Sequence, residues 1–138
     1  MAHKVFVDTS AFMALVSRSD KNHAASVKYF ESTTSQTILI TSDYIFDETV
    51  TLINARIGHH AATQFISEFK AYQVVLIPTY PVYFNEGIRI FSRYHDQSFS
   101  FTDCTSFAYM QVHEIPEAFT FDQDFARAGF LIVPTQDR

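Results

Sequence analysis

Two aspartates sit at the ends of apolar runs: Val5-Phe6-Val7 leads straight into Asp8, and Phe119-Thr120-Phe121 leads straight into Asp122. A carboxylate in that position can cap the helix that follows. It can also project into the crevice outside the carboxyl ends of the strands, where open α/β sheets bind their ligands. Two further acids lie on helical segments. Across residues 44–57 the apolar stripe runs through Phe46, Thr49, Val50, Ile53 and Ile57, which stacks Glu48 between Ile45 and Leu52. Glu48 therefore stands on the shoulder of the apolar face, where its stem covers apolar surface or its head meets a partner. Its neighbour Asp47, flanked by Asp43, Tyr44 and Thr51, belongs to the wet face. Across residues 101–112, Asp103 heads the stripe that continues through Phe107 and Met110. A first-turn carboxylate gains about 0.3–1 kcal/mol from the helix dipole, but on the buried side it needs a polar partner against desolvation. Ser98, Ser100 and Thr102 stand close enough in sequence to cap or solvate it.

If Asp8, Glu48, Asp103 and Asp122 converge at one end of a sheet, a cation is required. Two carboxylates about 5 Å apart repel by roughly 3 kcal/mol at an effective dielectric of 20. Donors that are all oxygen, with room for water, favour Mg²⁺ or Mn²⁺ over zinc. The chemistry such a centre serves is hydrolysis of a phosphodiester by a water that the cation activates.

The elements that must position these acids are visible as alternating patterns. Residues 4–7, 37–40, 74–77, 118–121 and 130–133 are short β-branched or aromatic-rich runs. Between them lie helical stripes: Ala24, Val27, Tyr29 and Phe30; Phe46, Val50, Ile53 and Ile57; Ala62, Phe65, Ile66 and Phe69; Phe84, Ile88, Phe91 and Tyr94. Strands alternating with helices, often two per connection, predict a three-layer α/β/α domain around a mostly parallel sheet of four to five strands. With three glycines and four prolines, and neither repeat nor linker, residues 1–138 are expected to form one domain.

Composition narrows the class. At 47% hydrophobic and 18% charged, the chain is an ordinary globular sequence, and its 15 Phe and 7 Tyr supply bulk for a core. The single Cys104 excludes an internal disulfide and a multi-cysteine zinc site, and reads as a small buried residue. The start of the chain is too short and polar for a secretory signal, and no apolar run reaches the length of a membrane span, so a cytoplasmic protein is expected. A formal net charge of −5 is not that of a basic nucleic-acid binder; acids gathered on a cation would still attract phosphate locally. Arg56, Arg89, Arg93 and Arg127 are candidate phosphate contacts. The six histidines are scattered, and His59 and His60 face about 100° apart on a helix, so none forms a paired metal site.

Four segments in order, VFVDTSAF from Val5, DETVTLI from Asp47, SFTDCTSFAYM from Ser100 and FTFDQDFARAGF from Phe119, resemble the PIN-domain ribonucleases, especially the VapC-like toxins of prokaryotic toxin–antitoxin pairs. The resemblance spans nearly the whole chain. It implies that Asp8, Glu48, Asp103 and Asp122 are the catalytic, metal-binding acids, and that Thr9, Ser10 and Thr102 are supporting hydroxyls. Asp124 is an extra acid, expected to support the site. The resemblance further implies RNA as substrate, Mg²⁺ or Mn²⁺ as cofactor, a homodimer and a small antitoxin protein as partner. The expected products carry a 5′-phosphate and a 3′-hydroxyl. The alternative is a PIN-like module that binds RNA or a protein without cutting. Aspartyl phosphatases are disfavoured because Ser10 stands where they need a second Asp, and phosphoreceivers because the 74–77 run ends on Pro78. Dinucleotide binding is disfavoured because no Gly-rich turn follows a strand.

Overall fold

The computed structural model describes residues 2–135; residue 1 and residues 136–138, the ends of the expected 1–138 domain, lie outside it. The five β-rich runs become β1 (His3–Val7), β2 (Thr37–Ser42), β3 (Val75–Ile77), β4 (Glu117–Phe119) and β5 (Leu131–Val133). They pair in the order β3-β2-β1-β4-β5, and every pairing is parallel. Parallel neighbours need crossovers. Here α1 (Thr9–Val16) and α2 (His23–Ser32) link β1 to β2, and α3 (Asp43–Arg56) and α4 (His59–Glu68), with a 3₁₀ turn at Phe69–Tyr72, link β2 to β3. The connection from β3 to β4 holds α5 (Val82–Arg93) and α6 (Phe101–Val112), and the short α7 (Asp124–Arg127) precedes β5.

The register shows why helices cover both faces. Val7 pairs with Phe119 and Phe6 with Ala118, so Val7 and Phe119 share one face while Phe6 points to the other. Phe119 packs its ring 4.6 Å from that of Tyr29 on α2, and Phe6 packs 6.0 Å from Tyr109 on α6. The result is the three-layer α/β/α arrangement. Under α1, the rings of Phe12, Phe46, Phe65 and Phe69 form one cluster of edge-to-face and tilted contacts, a geometry that adds to simple area burial.

All four apolar stripes depart in part from the sequence expectation: in the first, Ala24 is exposed and Ser26 is the buried residue of α2. Ile57 and Ile66 are exposed, and so are Ile88, Phe91 and Tyr94 of the stripe assigned to α5. The buried positions of α5 are Gly87 and Ile90 instead. The cause is the approach of α6. A Cβ at Gly87 would stand 2.8 Å from Thr105 Cγ2 and 3.2 Å from its Cα, so a larger residue would force the two helices apart, and α5 turns Gly87 towards α6. Ile88 and Phe91 are left outward.

The strand order also fixes where a site can be. From β1 the chain moves to β2 and then β3 on one side, and returns to place β4 on the other side of β1. The switch point lies between the carboxyl ends of β1 and β4, next to Asp8 and Asp122.

Candidate metal centre

A cleft of about 560 Å³ opens at that switch point, lined by Asp8, Glu48, Asp103 and Asp122 together with Thr9, Ser10, Ser100 and Phe121. The four acids picked out in the sequence are thus brought together. Asp8 is the N-cap of α1 and also lines the cleft, so its two readings coexist. Its side chain is 4% exposed. Ser10 Oγ and Thr120 Oγ1 donate to Asp8 Oδ2 at 3.0 and 2.8 Å, and the Ser10 N–H donates to the same oxygen at 3.4 Å. Burial, opposed by these hydrogen bonds and aided by the nearby charge of Asp122, pushes the Asp8 carboxyl up to about 6.

Asp103 is held differently. Ser100, not Thr102, caps α6, accepting from the Asp103 N–H at 3.0 Å, while Asp103 Oδ2 accepts from the Ser100 N–H at 3.2 Å. This reciprocal capping box orients a carboxylate that is nearly buried. Burial first, and then the charges of Asp8 and Asp122, push it up to about 7. Next to it, Cys104 is fully buried, and burial with the charge of Asp103 raises its thiol to about 11, which makes it a poor nucleophile.

The remaining acids complete the ring. Thr9 Oγ1 donates to Glu48 Oε1 at 2.5 Å, tying α1 to α3. Asp122 Oδ1 accepts from the Asp124 N–H at 2.9 Å, and Asp124 Oδ1 from Arg127 at 2.6 Å. One oxygen from each of Asp103, Asp122 and Asp124 lies within 4.8 Å of the others. Asp124 therefore stands nearer the centre than its sequence position suggested. Each of the five carboxylates is anchored to the protein through one oxygen: Oδ2 of Asp8 and Asp103, Oδ1 of Asp122 and Asp124, Oε1 of Glu48. Among the described residues, the second oxygens of Glu48, Asp103, Asp122 and Asp124 accept no hydrogen bond. A set of single free carboxylate oxygens, with no His or Cys lining the cleft, fits a hard divalent cation.

Two placements differ from expectation. Thr102 lines a neighbouring groove with Tyr44, Asp47 and Thr51 instead of the acid cleft. Thr120, to which the sequence reading gave no role, is fully buried at the hub: it donates to Asp8 and accepts from the Asp122 N–H at 3.0 Å. Its spacing two residues before Asp122, on the same side of an extended chain, was the available signal. Nothing local in sequence marked Asp20 and Asn22, and nothing set Arg56 apart from the other candidate arginines; all three also line the cleft.

Comparison with known proteins gives a consistent picture. The family model described as PIN domain matches residues 5–131. Two curated relatives, each named 23S rRNA-specific endonuclease VapC20, from two strains of Mycobacterium tuberculosis, are 35% identical over 130 residues, covering 94% of this chain and 97% of theirs. The crystal structure of Mycobacterium tuberculosis VapC20, described as a sarcin–ricin loop cleaving toxin, superposes with a TM-score of 0.85 at 31% identity, covering 92% of this chain and 96% of that one. FitAcB from Neisseria gonorrhoeae (TM-score 0.67, 12% identity, 93% of this chain and 95% of that one) shares the fold. PAE2754 from Pyrobaculum aerophilum (0.60, 17%, 96% and 92%) does so too.

Proposed function

We propose, from the premise that this chain belongs to the PIN-domain family, that it is a metal-dependent ribonuclease and the toxin of a toxin–antitoxin pair. One observation carries the reading: Asp8, Glu48, Asp103 and Asp122 line one cleft, Asp124 clusters with Asp103 and Asp122, and each of these carboxylates is anchored through a single oxygen. Asp8, Glu48, Asp103 and Asp122 would hold Mg²⁺ or Mn²⁺, with Asp124 beside them and Thr9, Ser10 and Thr120 fixing their orientation. Thr102 supports the site only from the adjoining groove. A bound divalent cation supplies Lewis-acid polarisation of the phosphodiester and lowers the pKa of an attacking water.

The chain's own residues do the rest. Ser10 and Thr120 clamp Asp8 so that it points into the cleft without rotamer search. The capping box does the same for Asp103. Asp8 and Asp103, raised to about 6 and about 7 when the acids stand alone, would hold a cation in their deprotonated form.

RNA is the proposed substrate class, and a 23S rRNA loop of the sarcin–ricin type is the first candidate, given the relatives' names and the 35% identity. No helix among the described residues is long and apolar enough to cross a membrane; action in the cytoplasm, as one domain, is proposed with the rest. The exposed Tyr80, Val82, Ile88 and Phe91 beside and along α5 offer a face for a homodimer, and the antitoxin is proposed to cover the cleft.

The test is cleavage of ribosomal RNA by purified protein with Mg²⁺ or Mn²⁺, with chelator, and with Asp8→Ala. Metal-dependent cutting that leaves 5′-phosphate ends and disappears in the folded variant is expected. Products ending in 2′,3′-cyclic phosphate would refute hydrolysis by water. A wild type that binds RNA but never cuts it would identify a non-catalytic module.

A further inference from the structure

We infer that Arg56 is a substrate-binding residue, gripping an RNA phosphate that flanks the scissile one; this rests on the ribonuclease reading above. The carboxylates of Asp8, Asp20, Glu48, Asp103 and Asp122 line the cleft, and Arg56 is its one cationic side chain among the described residues. It is exposed, and it makes no ion pair among the described residues, although acids line the same cleft. None of the other three candidate arginines lines the cleft: Arg127 is bound to Asp124, Arg89 pairs with Glu86 on α5, and Arg93 stands in the last turn of α5.

Position along α3 gives Arg56 its role. Glu48, Leu52 and Arg56 follow one another at intervals of four residues and all line the cleft. Eight residues of helix separate the guanidinium-bearing Cα from that of Glu48 by roughly 12 Å along the axis. That separation leaves room for one phosphate at the acid cluster and a second phosphate of the same strand at Arg56. An acidic cleft repels a polyanion everywhere except at its cation-loaded centre, so a free guanidinium at the far end supplies the second attractive point. Its planar fork matches two phosphate oxygens. The competing explanation is structural: Arg56 stands in the last turn of α3, where a cation is favoured by the helix dipole. A structural role would move melting temperature and leave substrate affinity alone.

The experiment is steady-state cleavage of the RNA fragment that the wild type cuts, as a function of salt, for Arg56→Gln, Arg56→Lys and the surface control Arg89→Gln. For Arg56→Gln, KM is expected to rise about tenfold with kcat little changed. The slope of log KM against log salt should become shallower by roughly 0.7–0.9, the signature of one lost phosphate contact. Arg56→Lys should restore the slope but only part of the affinity. The Mg²⁺-induced rise in melting temperature should be the same in all variants. Unchanged KM and slope in Arg56→Gln would overturn the inference while leaving the ribonuclease reading intact. So would a fall in kcat accompanied by loss of the Mg²⁺ effect. A wild type inert towards RNA would overturn both.

Discussion

The two walls of the cleft hold their acids by different means. On the strand wall, Asp8 receives hydrogen bonds from Ser10 and Thr120, and Thr120 in turn receives the Asp122 N–H, so β1 and β4 are laced together by hydroxyls. On the helix wall, Asp103 is nearly as buried, but its hydrogen bonds come from one residue, Ser100. Asp103 also carries repulsion from both Asp8 and Asp122. Fewer donors and more like charge leave Asp103 at about 7 and Asp8 at about 6. The contrast shows that burial alone does not set the charge of a carboxylate; the donors aimed at it do. The strand wall is organised before any cation arrives, whereas the helix wall is the one whose charge a cation must relieve.

The largest effect that tests this contrast is expected from Asp103→Asn. Cleavage should fall to background and the Mg²⁺-induced rise in melting temperature should vanish. Above pH 7, without metal, the variant should nevertheless melt higher than the wild type, because a repelled, desolvated charge is gone. Asp8→Asn should lose activity equally but gain less in the metal-free state, since it gives up charge-assisted bonds from Ser10 and Thr120. Equal gains would erase the distinction between the walls. The pH dependence has the matching sign. Between the ordinary 3.8 and the folded values of about 6 and about 7, the folded protein holds protons that the unfolded chain has released. The stability these groups contribute is thus present below pH 3.8 and lost as pH rises through 6 and 7. Calorimetry of the metal-free protein should show that decline, and the Mg²⁺-induced increment should grow across the same window.

Next in size is Thr120→Val. It removes the hydroxyl between Asp8 and Asp122 while keeping the shape, and should weaken metal affinity or activity by about 10–100-fold, with Thr120→Ser restoring most of it. Titration of Mg²⁺ against melting temperature, alongside kcat, measures this. The smallest effect is expected from Ser100→Ala, which should cost about 1 kcal/mol of stability through the lost cap, with a milder change in metal affinity than Thr120→Val. A reversed ranking in Mg²⁺ titrations would mean that the helix wall, not the strand wall, is the pre-organised side.

How far the site was legible depends on the residue. Asp8 and Asp122 were readable because a strand must end and an acid there has only a cap or a crevice to serve. Glu48 and Asp103 were readable because helical periodicity placed charge against an apolar stripe. Thr120 was not, since a threonine in a β-rich run is unremarkable until its hydroxyl is seen between two acids. Arg56 was one arginine among several, and no local pattern separates a solvated guanidinium from one that lines a cleft.

By itself, the sequence determined the alternation of strands with helices, the parallel sheet that this requires and which acids line the cleft, because these follow from period, strand ends and short-range sterics. Tertiary structure alone decided the order β3-β2-β1-β4-β5, which sets Asp8 beside Thr120 across more than a hundred residues of chain. It also decided the rotation of α5, since periodicity gives a helix an apolar side but not the neighbour that side meets. The contact of Gly87 with Thr105 turned Ile88 and Phe91 to the outside, and no count of apolar residues along α5 contains that contact.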